Sequence, residues 1–214
     1  MKKTLAVMGM LALSAAVANA SVIYDADFVS QNVSIDHDTG GNSLETSPQA
    51  GANFEIGYPS PPSSDTTRNY LETDGGNLDS SDFGGDHYFQ TDIIDVSGWN
   101  EVEIDIICNF VGSDSFNNSP TEFIQYVYTL DGGSDQQFFY FTDDPNGSDL
   151  NASETVDVTN VLELVVRINA NANGSGDGWS LSSAKVTGTV VPEPATMVLL
   201  GLGGVAALIR RRRA

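Results

Sequence analysis

The strongest constraint on the fold is the regular alternation of apolar and polar residues along several short segments. In residues 102–110, Val, Ile, Ile, Cys and Phe fall at every second position, and most intervening positions are polar. A period of two is typical of a β-strand with one buried face. Residues 124–130 and 162–168 repeat the pattern. The alternation therefore predicts strands rather than helices for most of the chain.

Further strands are predicted from apolar and aromatic runs bounded by turn residues. Asp131-Gly132-Gly133 predicts a tight hairpin that leads into an aromatic strand over 136–142. Residues 40–69, rich in Pro, Ser, Thr and Gly, predict a long loop with one short strand over 54–58. The remaining predicted strands are 22–29, 88–96 and 181–191. Together these elements predict an all-β domain, an antiparallel β-sandwich.

The body of the chain, residues 21–191, is strongly acidic. It holds 28 of the 29 Asp and Glu residues but only three of the nine Lys and Arg residues, a formal charge of −25. Because phosphate backbones require clustered cations, this excludes a general nucleic-acid binder. The same charge favours divalent cations. The single cysteine, Cys108, excludes an internal disulfide and a multi-thiolate zinc site, and the alternation predicts that its side chain is buried.

The first twenty residues form a tripartite pattern. Lys2 and Lys3 are followed by the apolar run Leu5–Ala18, and Ala18-Asn19-Ala20 forms a small-x-small site. This order is typical of a signal peptide over 1–20, cleaved to leave Ser21 as the first mature residue. An uncleaved anchor helix is the alternative, but the short run and the Ala-Asn-Ala site favour cleavage. The pattern predicts export through the Sec translocon.

The last 23 residues, 192–214, form a second tripartite pattern. Pro192, Glu193 and Pro194 precede the apolar run Ala195–Ile209, and a cluster of arginines follows. The arginines are Arg210, Arg211, Arg212 and Arg213. As a helix the apolar run would span ~22 Å, less than a ~30 Å hydrocarbon core, so it predicts a marginal transmembrane helix with the arginines in the cytoplasm. An amphipathic helix is the alternative, but the run has no polar face.

Val191-Pro192-Glu193-Pro194-Ala195, the apolar run and the arginine cluster together resemble the PEP-CTERM sorting signal of Gram-negative bacteria. The resemblance implies recognition by an exosortase, a membrane-embedded cysteine transpeptidase that cuts near the Pro-Glu-Pro. It implies an inner-membrane-anchored precursor and a final location at the cell surface or outside the cell, in bacteria that make exopolysaccharide and biofilm. In that role Pro192, Glu193 and Pro194 are substrate residues.

Three segments of the body resemble jelly-roll domains of the galactose-binding-like kind. They are Asp95-Val96-Ser97-Gly98-Trp99, the Asp131-Gly132-Gly133 hairpin, and Gly178-Trp179 before the final strand. Those domains often end in Trp-x-Ile-Asp-Asn-Val-x-Val, whereas this chain has Trp-Ser-Leu-Ser-Ser-Ala-Lys-Val from Trp179 onward. Because Ser182 replaces the Asp, the resemblance does not carry a calcium ligand to this position.

His37 and His87 are the two side chains able to exchange protons near neutral pH without a large pKa shift. Both lie beside aspartates, in Asp36-His37-Asp38 and Asp86-His87. The chain contains no Gly-x-Ser-x-Gly, His-Glu-x-x-His or Walker sequence. Solvated turns explain these histidines better than catalysis does, so the sequence predicts no catalytic residue and a non-enzymatic protein.

Calcium is the one cofactor that the sequence favours, without making it certain. Residues 143–149 place several oxygen ligands on one turn, the chemistry that Ca²⁺ prefers. The four candidate ligands are Asp143, Asp144, Asn146 and Asp149. Asp149 stands where an EF-hand loop has its invariant Gly, so this is not an EF-hand. The stretch 74–86, with Asp79 and Asp82, is a second candidate, and ordinary turn chemistry is the alternative for both.

Carbohydrate binding would use aromatic rings that stack on sugar faces, with polar groups to orient the ligand. The candidate rings are Tyr58, Tyr70, Trp99 and Trp179. Both tryptophans lie beside strand starts, where packing in the core is the competing interpretation. We therefore expect an exported, non-enzymatic surface or matrix protein. A module that binds extracellular polysaccharide is the alternative, and a secreted hydrolase is the third.

Overall fold

The computed structural model describes residues 20–26, 28–29, 34–37, 49–50, 53–57, 69–81, 86–111, 122–142, 150–171 and 178–189, with the backbone alone at 34–37, 49–50, 69–70 and 81. No helix in these ranges is long and apolar enough to cross a bilayer. The predicted signal peptide and the predicted C-terminal transmembrane helix lie outside them.

The described chain forms β-strands joined by turns. The strands are β1 (Ala20–Asp25), β2 (Ser34–His37), β3 (Gln49–Ala50), β4 (Phe54–Gly57), β5 (Asn69–Asp74), β6 (Asn77–Ser81), β7 (Asp86–Thr91), β8 (Ile94–Asp95), β9 (Glu101–Val111), β10 (Phe123–Leu130), β11 (Gln136–Phe141), β12 (Ala152–Asp157), β13 (Glu163–Asn171) and β14 (Gly178–Thr189). The short strand predicted near Phe54 is confirmed as β4.

Two antiparallel sheets form a sandwich. Sheet A has the order β12-β9-β14-β6-β5-β2, and β1 also pairs with β14. Sheet B has the order β11-β10-β13-β7-β4-β3, and β8 also pairs with β13. The fold class predicted from the alternation is therefore confirmed.

The chain enters and leaves the sandwich at neighbouring positions. β1 is antiparallel to the C-terminal part of β14, and Ala20 lies opposite Thr189 in the register. Ala20 is the residue after which the sequence predicts signal-peptide cleavage, and Pro192 follows Thr189 by three positions. Along the sequence, the two predicted processing points thus flank the residues of this strand pair.

The core lies between the two sheets and is built from the apolar rows that the alternation predicted. Val102, Ile104, Ile106 and Cys108 of β9 are buried. The row of β13 is buried too, and its members are Leu164, Val166, Ile168 and Ala170. Burying one large aliphatic side chain stabilises the fold by ~1.5–3 kcal/mol, so these rows set which face of each strand turns inward.

The turn between β10 and β11 shows why the hairpin prediction holds. Asp131 and Gly132 have φ values of 49° and 66°, and the Gly133 N–H donates to the Leu130 carbonyl at 2.9 Å. Two central residues with positive φ define a type I′ turn, whose twist matches that of the strands. The Asp131 carboxylate also accepts hydrogen bonds from the Leu162 and Glu163 N–H groups.

Several strand boundaries differ from the predictions. The predicted strand 22–29 ends at Asp25, and the predicted strand 88–96 is divided into β7 and β8. Leu162, predicted to face inward, is 62% exposed because it lies in the turn before β13. The hairpin β5–β6 and strand β12 were not predicted. Their sequences, NYLETD, NLDSS and ASETVD, are mostly polar, so the period-two signal is weak.

Cys108 is expected to be unreactive in the folded protein. Its side chain has no exposed surface, and burial raises the pKa of its thiol to about 12. Because the thiolate is the reactive form, Ellman's reagent should leave the native protein unlabelled and modify one thiol after unfolding in urea. Complete labelling of the native protein within minutes would contradict the burial of this strand face.

Candidate functional site

The outer face of sheet B carries a concentration of amide and aromatic side chains. They occupy the positions of β7, β13 and β10 that lie between the buried ones, so they point away from the core. They surround a shallow depression of about 460 Å³. Its lining includes Tyr88, Gln90, Phe123, Gln125, Arg167 and Asn169.

The strand register aligns four of these side chains across the sheet. Tyr140 of β11 lies opposite Gln125 of β10, Gln125 lies opposite Asn169 of β13, and Asn169 lies opposite Tyr88 of β7. We call Tyr140, Gln125, Asn169 and Tyr88 the transverse row. It runs perpendicular to the strands, with an aromatic ring at each end and two amides between them.

Hydrogen bonds orient the transverse row and its neighbours. The Tyr88 hydroxyl donates to Glu55 Oε1 at 2.6 Å, and Asn169 Nδ2 donates to Gln125 Oε1 at 3.5 Å. Gln125 Nε2 in turn donates to Gln137 Oε1. Side chains held by such contacts lose less conformational freedom when a ligand binds.

The electrostatics of this face are set by Arg167, its one described cation. Arg167 Nε donates to Gln90 Oε1 at 2.9 Å, and Nη1 lies 3.4 Å from Asp135 Oδ2. Burial, followed by the hydrogen bond to Glu55, raises the pKa of Tyr88 to about 12, so its hydroxyl stays protonated. With Glu55 and Asp86 nearby, the face has no excess of positive charge to attract a polyanion.

A second depression lies on the outer face of sheet A. It has a volume of about 550 Å³ and includes Asp105, Ile107, Asn151 and Lys185. Among the described residues that line it there is no aromatic ring. It therefore lacks the stacking surface that a sugar site requires, and the face of sheet B is the better candidate.

His87 is buried between the sheets instead of lying in a solvated turn. Trp179 Nε1 donates to His87 Nε2 at 2.9 Å, and Ser80 Oγ lies 3.0 Å from the same nitrogen. The indole and imidazole planes are within 3° of each other. Because an indole can only donate, Nε2 is an acceptor and the neutral ring carries its proton on Nδ1.

This Ser–His pair joins the two sheets. Ser80 and Trp179 belong to sheet A and His87 to sheet B, and all three side chains are at most 1% exposed. The hydroxyl and the imidazole therefore lie in the interior of the sandwich. The other histidine, His37, lies in β2, where only the backbone is described.

The two candidate tryptophans are both removed from solvent, one completely and one in part. Trp179 is completely buried, as the core interpretation predicts. Trp99 is half-buried, and its ring lies directly on the backbone of Gly188. Tyr58 lies outside the described residues, and Tyr70 is described only as backbone in β5.

The calcium prediction lies largely outside the described residues. Asp143, Asp144, Asn146 and Asp149 all fall in 143–149, and the site there stays a prediction. In the second stretch, burial raises the pKa of Asp79, and its buried Oδ1 has no hydrogen-bond partner. The described part of the chain contains no cluster of three or more His, Cys, Asp and Glu side chains able to hold a metal ion.

No member of the transverse row was predicted from the sequence as a ligand residue. Tyr88, Gln125, Tyr140 and Asn169 belong to four different strands, and the register alone brings them together. A usable signal did exist, because Gln125 and Asn169 occupy outward positions of strongly alternating strands. Amides there are not needed for packing, which makes them candidates for binding.

The geometry defines an antiparallel β-sandwich domain, and the chain joins it to a sorting signal. Residues 190–213 match the PEP-CTERM protein-sorting motif. The chain thus carries the signal that Pro192 to Arg213 resemble, and the motif marks an exported, membrane-anchored precursor that an exosortase processes. These residues lie outside the described part of the structure. No curated protein matches the chain.

Solved structures that resemble the domain do so remotely. A cleaved adhesin domain of Lys-gingipain from Porphyromonas gingivalis is 12% identical, covers 79% of this chain and 99% of its own, and has a TM-score of 0.39. The xylan-binding module CBM15 is 13% identical, with coverages of 76% and 99% and a TM-score of 0.37.

A third similar structure is the enzymatically active domain of tailspike protein 4 from bacteriophage CBA120. It is 10% identical with a TM-score of 0.35, and the match covers 75% of this chain. The chain spans only 20% of the length of that tailspike domain. At these identities and TM-scores the similarities carry no argument about function.

Proposed function

We propose that the mature domain is a non-enzymatic protein of the cell surface or extracellular matrix, associated with exopolysaccharide or biofilm. The observation that carries the proposal is the PEP-CTERM motif at residues 190–213, attached to an acidic β-sandwich. In this proposal the signal peptide directs the chain to the Sec translocon. An exosortase-like transpeptidase then cuts near Pro192–Pro194 and delivers the domain outside the cell.

The position of the last strand supports processing without unfolding. β14 ends at Thr189, before the Pro-Glu-Pro, and it pairs with β9 and β6 as well as with β1. A cut near Glu193 therefore removes none of the paired residues of β14. Likewise, signal cleavage after Ala20 removes only the first residue of β1.

Changing Arg210, Arg211, Arg212 and Arg213 together to Gln is expected to leave the precursor unsorted and unprocessed. Without these cations the segment loses the charge asymmetry that holds its end in the cytoplasm. Intact mass and immunoblots of membrane and extracellular fractions would measure processing, with Lys185→Gln as a control that removes one positive charge inside the domain. Normal maturation of the fourfold variant would refute the sorting argument.

A carbohydrate-binding module for extracellular polysaccharide is the second candidate function. The transverse row supports it, because rings and amides arranged in one line suit the faces and hydroxyls of sugars.

A secreted hydrolase is the third candidate function, and loss of a measured hydrolytic activity on changing His37 or His87 would favour it. The burial of His87 and Ser80 supports the non-enzymatic proposal.

A further inference from the structure

The transverse row has the dimensions of a site for a chain of sugars rather than for a single sugar. Tyr140 and Tyr88 lie on strands separated by two others, so three strand spacings, or ~14 Å, divide them. One spacing is close to the length of a pyranose unit in an extended chain. We propose that the transverse row binds an extended, uncharged polysaccharide that crosses the strands; this inference rests on the carbohydrate-binding function proposed above.

The two ends of the row offer stacking surfaces. Tyr140 is 50% exposed, and its ring lies beside Phe123 with the centroids 6.1 Å apart and the planes within 17°. At the other end the Tyr88 ring is half-buried and its hydroxyl is held by Glu55. A sugar presents apolar C–H groups on one face, so each ring suits one end of the bound chain.

The middle of the transverse row offers both hydrogen-bond donors and hydrogen-bond acceptors. Asn169 and Gln125 each carry an amide donor and a carbonyl acceptor, as sugar hydroxyls require. Among the described residues, Asn169 Oδ1 and the neighbouring Gln90 Nε2 have no hydrogen-bond partner. These atoms can therefore meet a ligand without giving up an existing contact.

The charges of the face select an uncharged ligand. Arg167 is occupied by Gln90 and Asp135, and the nearby carboxylates are those of Glu55 and Asp86. The body of the chain carries a formal charge of −25, so a polyanion such as alginate would be repelled over the whole approach. A neutral chain experiences no such repulsion.

Affinity electrophoresis of the mature, exported protein tests the inference. The gels contain hydroxyethylcellulose, laminarin, the uncharged fraction of the producing culture's exopolysaccharide, or alginate. The site variants are Tyr140→Ala and Asn169→Ala. Matched controls lie on the outer face of sheet A: Ile107→Ala, at 47% exposure close to the 50% of Tyr140, and the exposed amide variant Asn109→Ala. Circular dichroism and urea unfolding confirm that each variant folds.

We expect an uncharged polymer to retard the protein and alginate not to. Each site variant should weaken binding by about tenfold or more, Tyr140→Phe should retain it, and both controls should bind as the parent does. Free oligosaccharides should compete better with each added unit until they span the row.

The outcomes that would contradict the proposal distinguish a wrong binding site from a wrong function. Equal binding by parent and site variants would overturn the transverse row but leave carbohydrate binding intact. Retardation by alginate alone would overturn the uncharged ligand. No retardation by any polymer would overturn both the site and the carbohydrate-binding function. If sedimentation shows that Tyr140→Ala converts a dimer into monomers, the face is a self-association surface and the proposal falls.

Discussion

Replacing Trp179 by alanine is expected to lower the free energy of unfolding by about 4 kcal/mol, the range observed for truncating a large buried aromatic residue. Trp179 is among the largest fully buried side chains, and it joins sheet A to sheet B through His87. The substitution leaves a cavity and removes the indole donor from a buried imidazole. Since small domains are stable by only ~5–15 kcal/mol, this one change would remove a large share of the stability.

Urea unfolding followed by far-ultraviolet circular dichroism measures this loss without depending on tryptophan fluorescence. Trp179→Phe is the matched control, because it retains much of the ring volume and lacks only the N–H donor and part of the surface. Its loss should be smaller, about 1–2 kcal/mol. Trp179→Phe should also have less effect in a His87→Leu background, where the acceptor is already absent. A loss below ~1 kcal/mol for Trp179→Ala would contradict the central position of this ring.

Gly188→Ala is expected to destabilise the domain by about 2 kcal/mol through a steric clash. A Cβ atom at this position would lie 2.3 Å from Cε3 and 2.4 Å from Cδ2 of Trp99. These distances are far below van der Waals contact, so the indole must leave its place on β14. The displaced ring would become more exposed, and its fluorescence should shift to longer wavelength when Trp99 is observed in a Trp179→Phe background.

A double-mutant cycle with Trp99→Ala identifies the cause of the Gly188 effect. If the clash with the indole is responsible, Gly188→Ala should destabilise the Trp99→Ala protein by much less than the parent. An undiminished effect in that background would mean that the added methyl group disturbs the strand itself. An unchanged melting temperature for Gly188→Ala would exclude the close packing of Trp99 on the strand.

The alternating sequence was sufficient to predict the strands that bury one full face. β9, β10 and β13 were predicted because their apolar residues recur with a period of two and their polar residues face water. The period of two also predicted correctly that the side chain of Cys108 is buried. The period of two failed to predict β12, where Val156 is the one buried side chain, because a strand at the edge of a sheet needs little apolar surface.

The sequence could predict that a candidate sugar site would use aromatic rings, but not which rings. An aromatic sugar surface was the alternative interpretation, with Tyr58, Tyr70, Trp99 and Trp179 as its candidate rings. Packing in the core was the competing interpretation for both tryptophans, and Trp179 is completely buried. Solvent exposure of an aromatic residue depends on which strand covers it. Tyr140 faces outward because of its register with Gln125, and no local pattern in an aromatic strand such as QQFFYF distinguishes it from its neighbours.

The sequence by itself determined that this chain carries a sorting motif and which faces of its main strands turn inward. Both properties are local, since a sorting signal is recognised from contiguous residues and a strand face from adjacent positions. The tertiary structure alone decided that His87 joins two sheets and that Tyr88, Gln125, Tyr140 and Asn169 form one row. These arrangements arise from pairing between distant strands, whose order and register depend on the packing of the whole sandwich.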